Sequence, residues 1–135
     1  MRIAVFGTGG VGGYFGGRLA QAGAEVTFIA RGTHLHALQT RGLRVDSVYG
    51  DFVLHSVQAT DDPQQVGVVD IVLVAVKAWQ VPEVAEALRP LVGPATGVIA
   101  LQNGVEAPEQ LAAVLGAASV VGGVCGLVNF RHYRV

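Results

Sequence analysis

Cysteine, charge and long apolar runs are what this sequence has little of, and each shortage closes off a class of protein. A single cysteine, Cys125, excludes an internal disulfide framework and fits a reducing compartment. Only 14% of the residues are charged and the formal net charge is -1, which gives no electrostatic footprint for nucleic acid or for an anionic membrane surface. The longest apolar stretches are interrupted well before the roughly 20 residues that a helical membrane span requires. The five prolines are scattered, so no Pro-rich linker divides the chain, and no internal repeat or low-complexity segment is evident. No signal-peptide pattern precedes the first apolar run, so a soluble, cytoplasmic protein with no nucleic-acid or membrane partner is expected.

What is abundant is apolar residues and glycine. With 135 residues, 51% of them hydrophobic, the chain has the length of one domain with a well-buried core. Several of its 19 glycines crowd into Gly7-Thr8-Gly9-Gly10-Val11-Gly12-Gly13, directly after the β-type run Arg2 to Phe6. A helical pattern from about Val11 to Gln21 follows, Gly23 stops it, and Val26 to Ala30 is a second β-type run. G-x-G-x-x-G between a strand and a helix, with another strand behind, is the pattern of a dinucleotide-binding βαβ unit. Gly7 turns the chain out of the strand, Gly9 lets a pyrophosphate approach the backbone, and Gly12 lets the helix lie close to the strand. The unpaired amides and positive dipole end at the helix start suit phosphate. Gly13, Gly16 and Gly17 each cost the helix about 1 kcal/mol relative to Ala. Gly12/Gly16 and Gly13/Gly17 are four residues apart, which predicts a flat helix face pressed against the sheet or the ligand.

About twenty residues after the loop, at the end of the second strand, a dinucleotide enzyme that uses NAD places a carboxylate for the ribose hydroxyls. Here the residue is Arg31. A guanidinium binds a ribose 2′-phosphate through charge-assisted hydrogen bonds that a carboxylate would repel, so NADP(H) is preferred to NAD(H). Thr33 is expected to cap a short helix carrying Leu35, Leu38 and Arg41. His34 and His36, two apart on that helix, point to different sides, and no metal site is expected. Residues 42–59 alternate around Tyr49-Gly50-Asp51, predicting a small antiparallel excursion or an edge pair, with His55 on its polar face. Asp61-Asp62-Pro63 is a turn.

Asp70 to Val76 is the clearest strand and must be central. Its carboxyl end delivers Lys77-Ala-Trp-Gln80, after which Pro82 opens a helix from Val81 to Leu88, with Glu83 and Glu86 on its solvent face, that ends before Pro90. The strand Val98 to Leu101 likewise delivers Gln102, Asn103 and Gly104; a helix from Pro108 and a last strand from Ser119 to Cys125 complete the pattern. The expected fold is a Rossmann-type, doubly wound α/β domain of five or six mostly parallel strands with helices on both faces. Both polar clusters then fall on the edge that carries the glycine loop, where ligands bind in such sheets.

With those residues in view, the chain resembles the N-terminal half of the ketopantoate reductase (2-dehydropantoate 2-reductase) family. The likeness lies in the loop and helix from Gly7 to Arg18, Arg31, Val76-Lys77-Ala-Trp-Gln80 and Leu101-Gln-Asn103-Gly104-Val105. It implies a reductase that uses NADPH to convert the small 2-oxo acid ketopantoate to pantoate, on the route to pantothenate and coenzyme A. Gly7, Thr8, Gly9, Gly10, Val11 and Gly12 would hold the pyrophosphate and Arg31 the 2′-phosphate, while Lys77, Gln80 and Asn103 would complete the cofactor site. Lys77 and Asn103 would be the catalytic pair beside nicotinamide and substrate.

The family continues into a helical second domain that supplies a general-acid lysine, and these 135 residues contain none. Residues 1–125 therefore read as the NADP-binding domain and 126–135 as a divergent tail. A truncated product, a frameshift or a cloned domain would each explain the pattern, and self-association through the uncovered docking face is expected. Two other readings stay open: a non-catalytic NADP(H)-sensing regulatory module, and the cofactor half of another NADP-dependent 2-oxo or hydroxy-acid dehydrogenase.

Overall fold

The apolar run ahead of the glycine loop forms β1 (Arg2–Phe6), followed by α1 (Gly10–Gln21), β2 (Glu25–Ile29) and α2 (Gly32–Arg41) in the computed structural model of the chain. The structure describes residues 1–102 and 105–122, and the backbone of 133–134. A short antiparallel hairpin, β3 (Leu43–Val45) and β4 (Phe52–Leu54), comes next, then β5 (Gln58–Thr60) and the one-turn α3 (Pro63–Val66). β6 (Ile71–Val74), α4 (Val81–Ala85), β7 (Gly97–Ala100), α5 (Glu106–Leu115) and β8 (Val120–Val121) follow, and β9 (Tyr133–Arg134) pairs antiparallel with β3.

Six strands make one sheet in the order β5-β2-β1-β6-β7-β8, and every neighbouring pair is parallel. This is a Rossmann-like α/β sheet, in which the crossover direction reverses between β1 and β6. The pleat sends alternate side chains to two cores. Ile3, Val5, Phe28 and Leu73 meet Leu38 of α2 and Leu43, Val45 and Phe52 of the hairpin on one face. On the other, Ala4, Val72, Val74 and Val98 pack against Val81, Ala85, Leu88, Leu91, Ala107 and Leu111. Burying each of these leucines contributes about 1.5–3 kcal/mol.

α1 serves both the sheet and the hairpin because its four buried residues, Gly12, Gly13, Gly16 and Gly17, are all glycine. A Cβ at Gly16 would sit 2.6 Å from the Phe28 ring and one at Gly17 2.7 Å from the Phe52 ring. The next residue closes the hairpin onto the helix: the Arg18 guanidinium lies 4.5 Å from the Phe52 ring centroid and donates to the carbonyls of Tyr49 and Gly50. Before β7, the buried Thr96 hydroxyl donates to the Val69 carbonyl at 2.6 Å and accepts the Gly93 N–H at 2.9 Å.

The expected excursion in residues 42–59 divides in two. The hairpin joins a second, three-stranded sheet, whereas β5 adds a parallel edge to the main one, a choice that alternation does not encode. Thr33 is not a cap: Arg31 takes the cap position of α2, and Gly32, at φ 61°, makes the turn. The helix expected to end before Pro90 is α4 plus a 3-10 segment, Glu86–Leu91, which holds Pro90. β8 covers only the start of the expected last strand; Cys125 lies outside the described residues. No helix among the described residues is long and apolar enough to cross a membrane.

Candidate functional site

The carboxyl ends of β1 and β6 lie side by side at the reversal point, and a cleft of about 570 Å³ opens there. Gly7, Thr8 and Gly9 come to it from β1, Arg31 from the end of β2 and His34 from the first turn of α2, and Lys77 and Gln80 from the exit of β6. Three segments far apart in sequence meet because their strands are neighbours in register.

The glycines divide the work of the loop. Gly7, at φ 95°, donates its N–H to the Ile29 carbonyl at 3.1 Å, and a Cβ there would stand 2.9 Å from the Val76 nitrogen. Only a glycine fits that turn between two strand ends. A Cβ at Gly9 would meet nothing within 4 Å, so its backbone borders open space in the cleft. A Cβ at Gly12 would run into the Gly7 carbonyl oxygen and stand 3.1 Å from Val5. Gly10, Val11 and Gly12 begin α1 and do not line the cleft. Among the described residues no side chain caps this helix, and no acid stands in its first turn, so the dipole's positive end lies uncapped beside Gly9.

Two residues that line the cleft each hold a polar atom buried without a hydrogen-bond partner among the described residues, Thr8 Oγ1 and His34 Nε2. Thr8 as a whole is 5% exposed. Arg31 and Lys77 are exposed cations on the rim; Asp61 and Glu83 are the acidic residues on it. Lys77 is held by its backbone: its N–H donates to Gln80 Oε1 at 3.0 Å and its carbonyl accepts the Gln80 N–H at 2.9 Å. Gln102 Nε2 donates to the carbonyls of Val74 and Val76 at 2.8 and 3.0 Å, stitching the exit of β6 to β7. Trp79, 76% exposed, stands in the same turn as Lys77.

Of the residues singled out in the sequence, Gly7, Thr8, Gly9, Arg31, Lys77 and Gln80 thus share one cleft, while Asn103 lies outside the described residues. His34, Asp61 and Glu83 were missed as site residues, although each follows a strand end or opens a helix on the ligand edge. His34 and His36 do separate, His36 being exposed and off the cleft. Among the described residues no cluster of His, Cys, Asp and Glu could hold a metal ion. The carboxyl of Glu86 is held below the usual carboxylate range by its hydrogen bond from Arg89, a solvent-exposed pair that does not line the cleft. Chemically, the cleft offers backbone approach in its middle and a cation on each of two strand exits, an arrangement for an extended anion.

The family model for Ketopantoate reductase PanE/ApbA matches residues 3–132. A 2-dehydropantoate 2-reductase of Nostoc sp. is 36% identical over 128 residues, 95% of this chain and 40% of that protein. The solved 2-dehydropantoate 2-reductase of Geobacter metallireducens superposes with a TM-score of 0.91 at 38% identity, covering 98% of this chain and 44% of that one. A D-mandelate dehydrogenase solved with NADH and anilino(oxo)acetate shares the fold, with a TM-score of 0.82 at 23% identity over 92% of this chain and 40% of that one. The chain spans about two fifths of the length of the relatives it matches. Sequence, strand order and glycine cleft agree, and the chain belongs to the ketopantoate reductase PanE/ApbA family.

Proposed function

We propose that the cleft binds NADPH and that the chain is the cofactor-binding part of a 2-dehydropantoate 2-reductase, reducing ketopantoate to pantoate. The observation that carries this is Arg31 on the same cleft as the glycine loop, at the end of the strand beside β1, where the 2′-phosphate of NADPH needs a cation. The fit is supported by the open space before Gly9 and by two lining residues, Thr8 and His34, whose buried polar atoms lack partners among the described residues.

Bound NADPH supplies the hydride. On this reading Gly7, Thr8 and Gly9 accommodate the pyrophosphate at the start of α1, where Gly10, Val11 and Gly12 provide the helix end. Hydride addition leaves negative charge on the ketone oxygen, and Lys77 is the cation assigned to it or to the substrate carboxylate. Gln80 orients the Lys77 backbone. Asn103 is assigned to the nicotinamide and substrate side from the family resemblance alone.

Calorimetric titration of the chain tests the cofactor: NADPH is expected to bind more tightly than NADH, and no binding or equal affinity would overturn the proposal. Replacing Arg31 by Ala is expected to weaken NADPH by roughly 1.5–3 kcal/mol and to leave NADH nearly unchanged. A spectrophotometric panel of 2-oxo acids with NADPH tests the substrate. Consumption with ketopantoate supports the assignment, consumption only with another acid reassigns the substrate, and binding without consumption favours a sensing role or an incomplete catalytic unit.

A further inference from the structure

We propose that His34 is a second reader of the cofactor's 2′-phosphate, donating from Nε2 beside Arg31 and thereby setting the preference for the phosphorylated dinucleotide. The inference rests on the NADPH reading above and names a residue that the glycine motif and the strand-end arginine leave out.

Three observations meet at this residue. His34 lines the cleft together with Arg31, and it is the third residue of α2, so one helical turn carries both from the same strand exit. Its Nε2 is buried and has no hydrogen-bond partner among the described residues. An imidazole nitrogen left unpaired inside the protein is costly, and a turn of the ring that brings it to the cleft lets a ligand acceptor remove that cost. Third, the first turn of α2 holds no acid and no side chain among the described residues caps it, so nothing on that turn competes for the imidazole or repels an anion.

Phosphate is the acceptor these features favour. With Nε2 protonated the ring donates to an acceptor-only oxygen, and a phosphate shared between a guanidinium and an imidazole keeps charge-assisted bonds to both. The opposing groups are Asp61, which reaches the cleft beyond β5, and Glu83 from α4. Arg31 alone would leave the anion facing Asp61 with one cation; a second donor on α2 shifts that balance toward the phosphate. If Asp61 instead bound a bare ribose, ADP would be preferred.

The test uses fragments that carry only the adenosine end. In titrations of the intact chain, 2′,5′-ADP is expected to bind more tightly than ADP, and His34→Leu to weaken 2′,5′-ADP about tenfold with ADP changed less than about twofold. His34→Gln, which restores an N–H donor without the ring, is expected to recover most of the loss. Equal losses for both probes, or a lowered unfolding temperature with the probe ratio unchanged, would mean that His34 only fills space, and the proposal would fall. If wild-type chain itself shows no preference for 2′,5′-ADP, the NADPH reading fails first and separately.

Discussion

A methyl group added at Gly9 and one added at Gly12 would do opposite things, although three positions separate them. At Gly9 it projects into the open cleft, and φ of -87° is ordinary for alanine. Gly9→Ala is therefore expected to leave chemical unfolding within about 0.5 kcal/mol of wild type while weakening NADPH clearly. At Gly12 it meets the Gly7 carbonyl, so Gly12→Ala is expected to cost about 3 kcal/mol or more of stability through overpacking. Unfolding curves and NADPH titrations on the two variants check both, and normal binding by Gly9→Ala would remove the pyrophosphate from that spot. The space around these glycines was legible because it follows from a missing Cβ at a fixed step from a strand end. His34 was not: its significance lies in an atom buried without a partner among the described residues, which a sequence does not display. Thr33 misled because a Thr near a helix start usually caps it, whereas a positive-φ Gly32 brings the helix in earlier.

Between elements, the turn before β7 depends on one hydroxyl. Thr96 is 5% exposed and bonds both Val69 and Gly93. Thr96→Val keeps the shape and orphans both backbone groups, so denaturant unfolding is expected to lose about 1–3 kcal/mol with the NADPH affinity unchanged. An affinity loss would mean that this turn reports to the cleft on the far end of the sheet. Elements with a single continuous apolar run, such as β1 and β6, were legible because full burial on two faces leaves only one assignment. Residues 43–60 were legible as strands but not as partners. Their alternation fits either sheet, and the decision falls to Gly17 and Arg18 on α1, whose bare face and guanidinium capture Phe52 and the hairpin tip.

At the scale of the whole molecule, the reversal of crossover direction between β1 and β6 gathers the site. A run of β and α signals in order, with short connections, makes this topology readable, since right-handed crossovers admit few alternatives. Less readable is the reinforcement of the ligand edge: Gln102 binds two carbonyls of the β6 exit and Gln80 the Lys77 amide, amides that a sequence shows only as polar neighbours. That edge also carries Trp79, exposed two positions beyond Lys77 and the single tryptophan of the chain. The protein therefore holds its own optical probe. Indole emission overlaps the absorption of a reduced nicotinamide and not of an oxidised one. Excitation of Trp79 is expected to sensitise cofactor fluorescence when NADPH is added, to do so with no label, and to fail with NADP⁺ or after Trp79→Phe. Emission spectra recorded during the titration check this, and absence of transfer while calorimetry reports binding would put the nicotinamide out of range of the Lys77 turn.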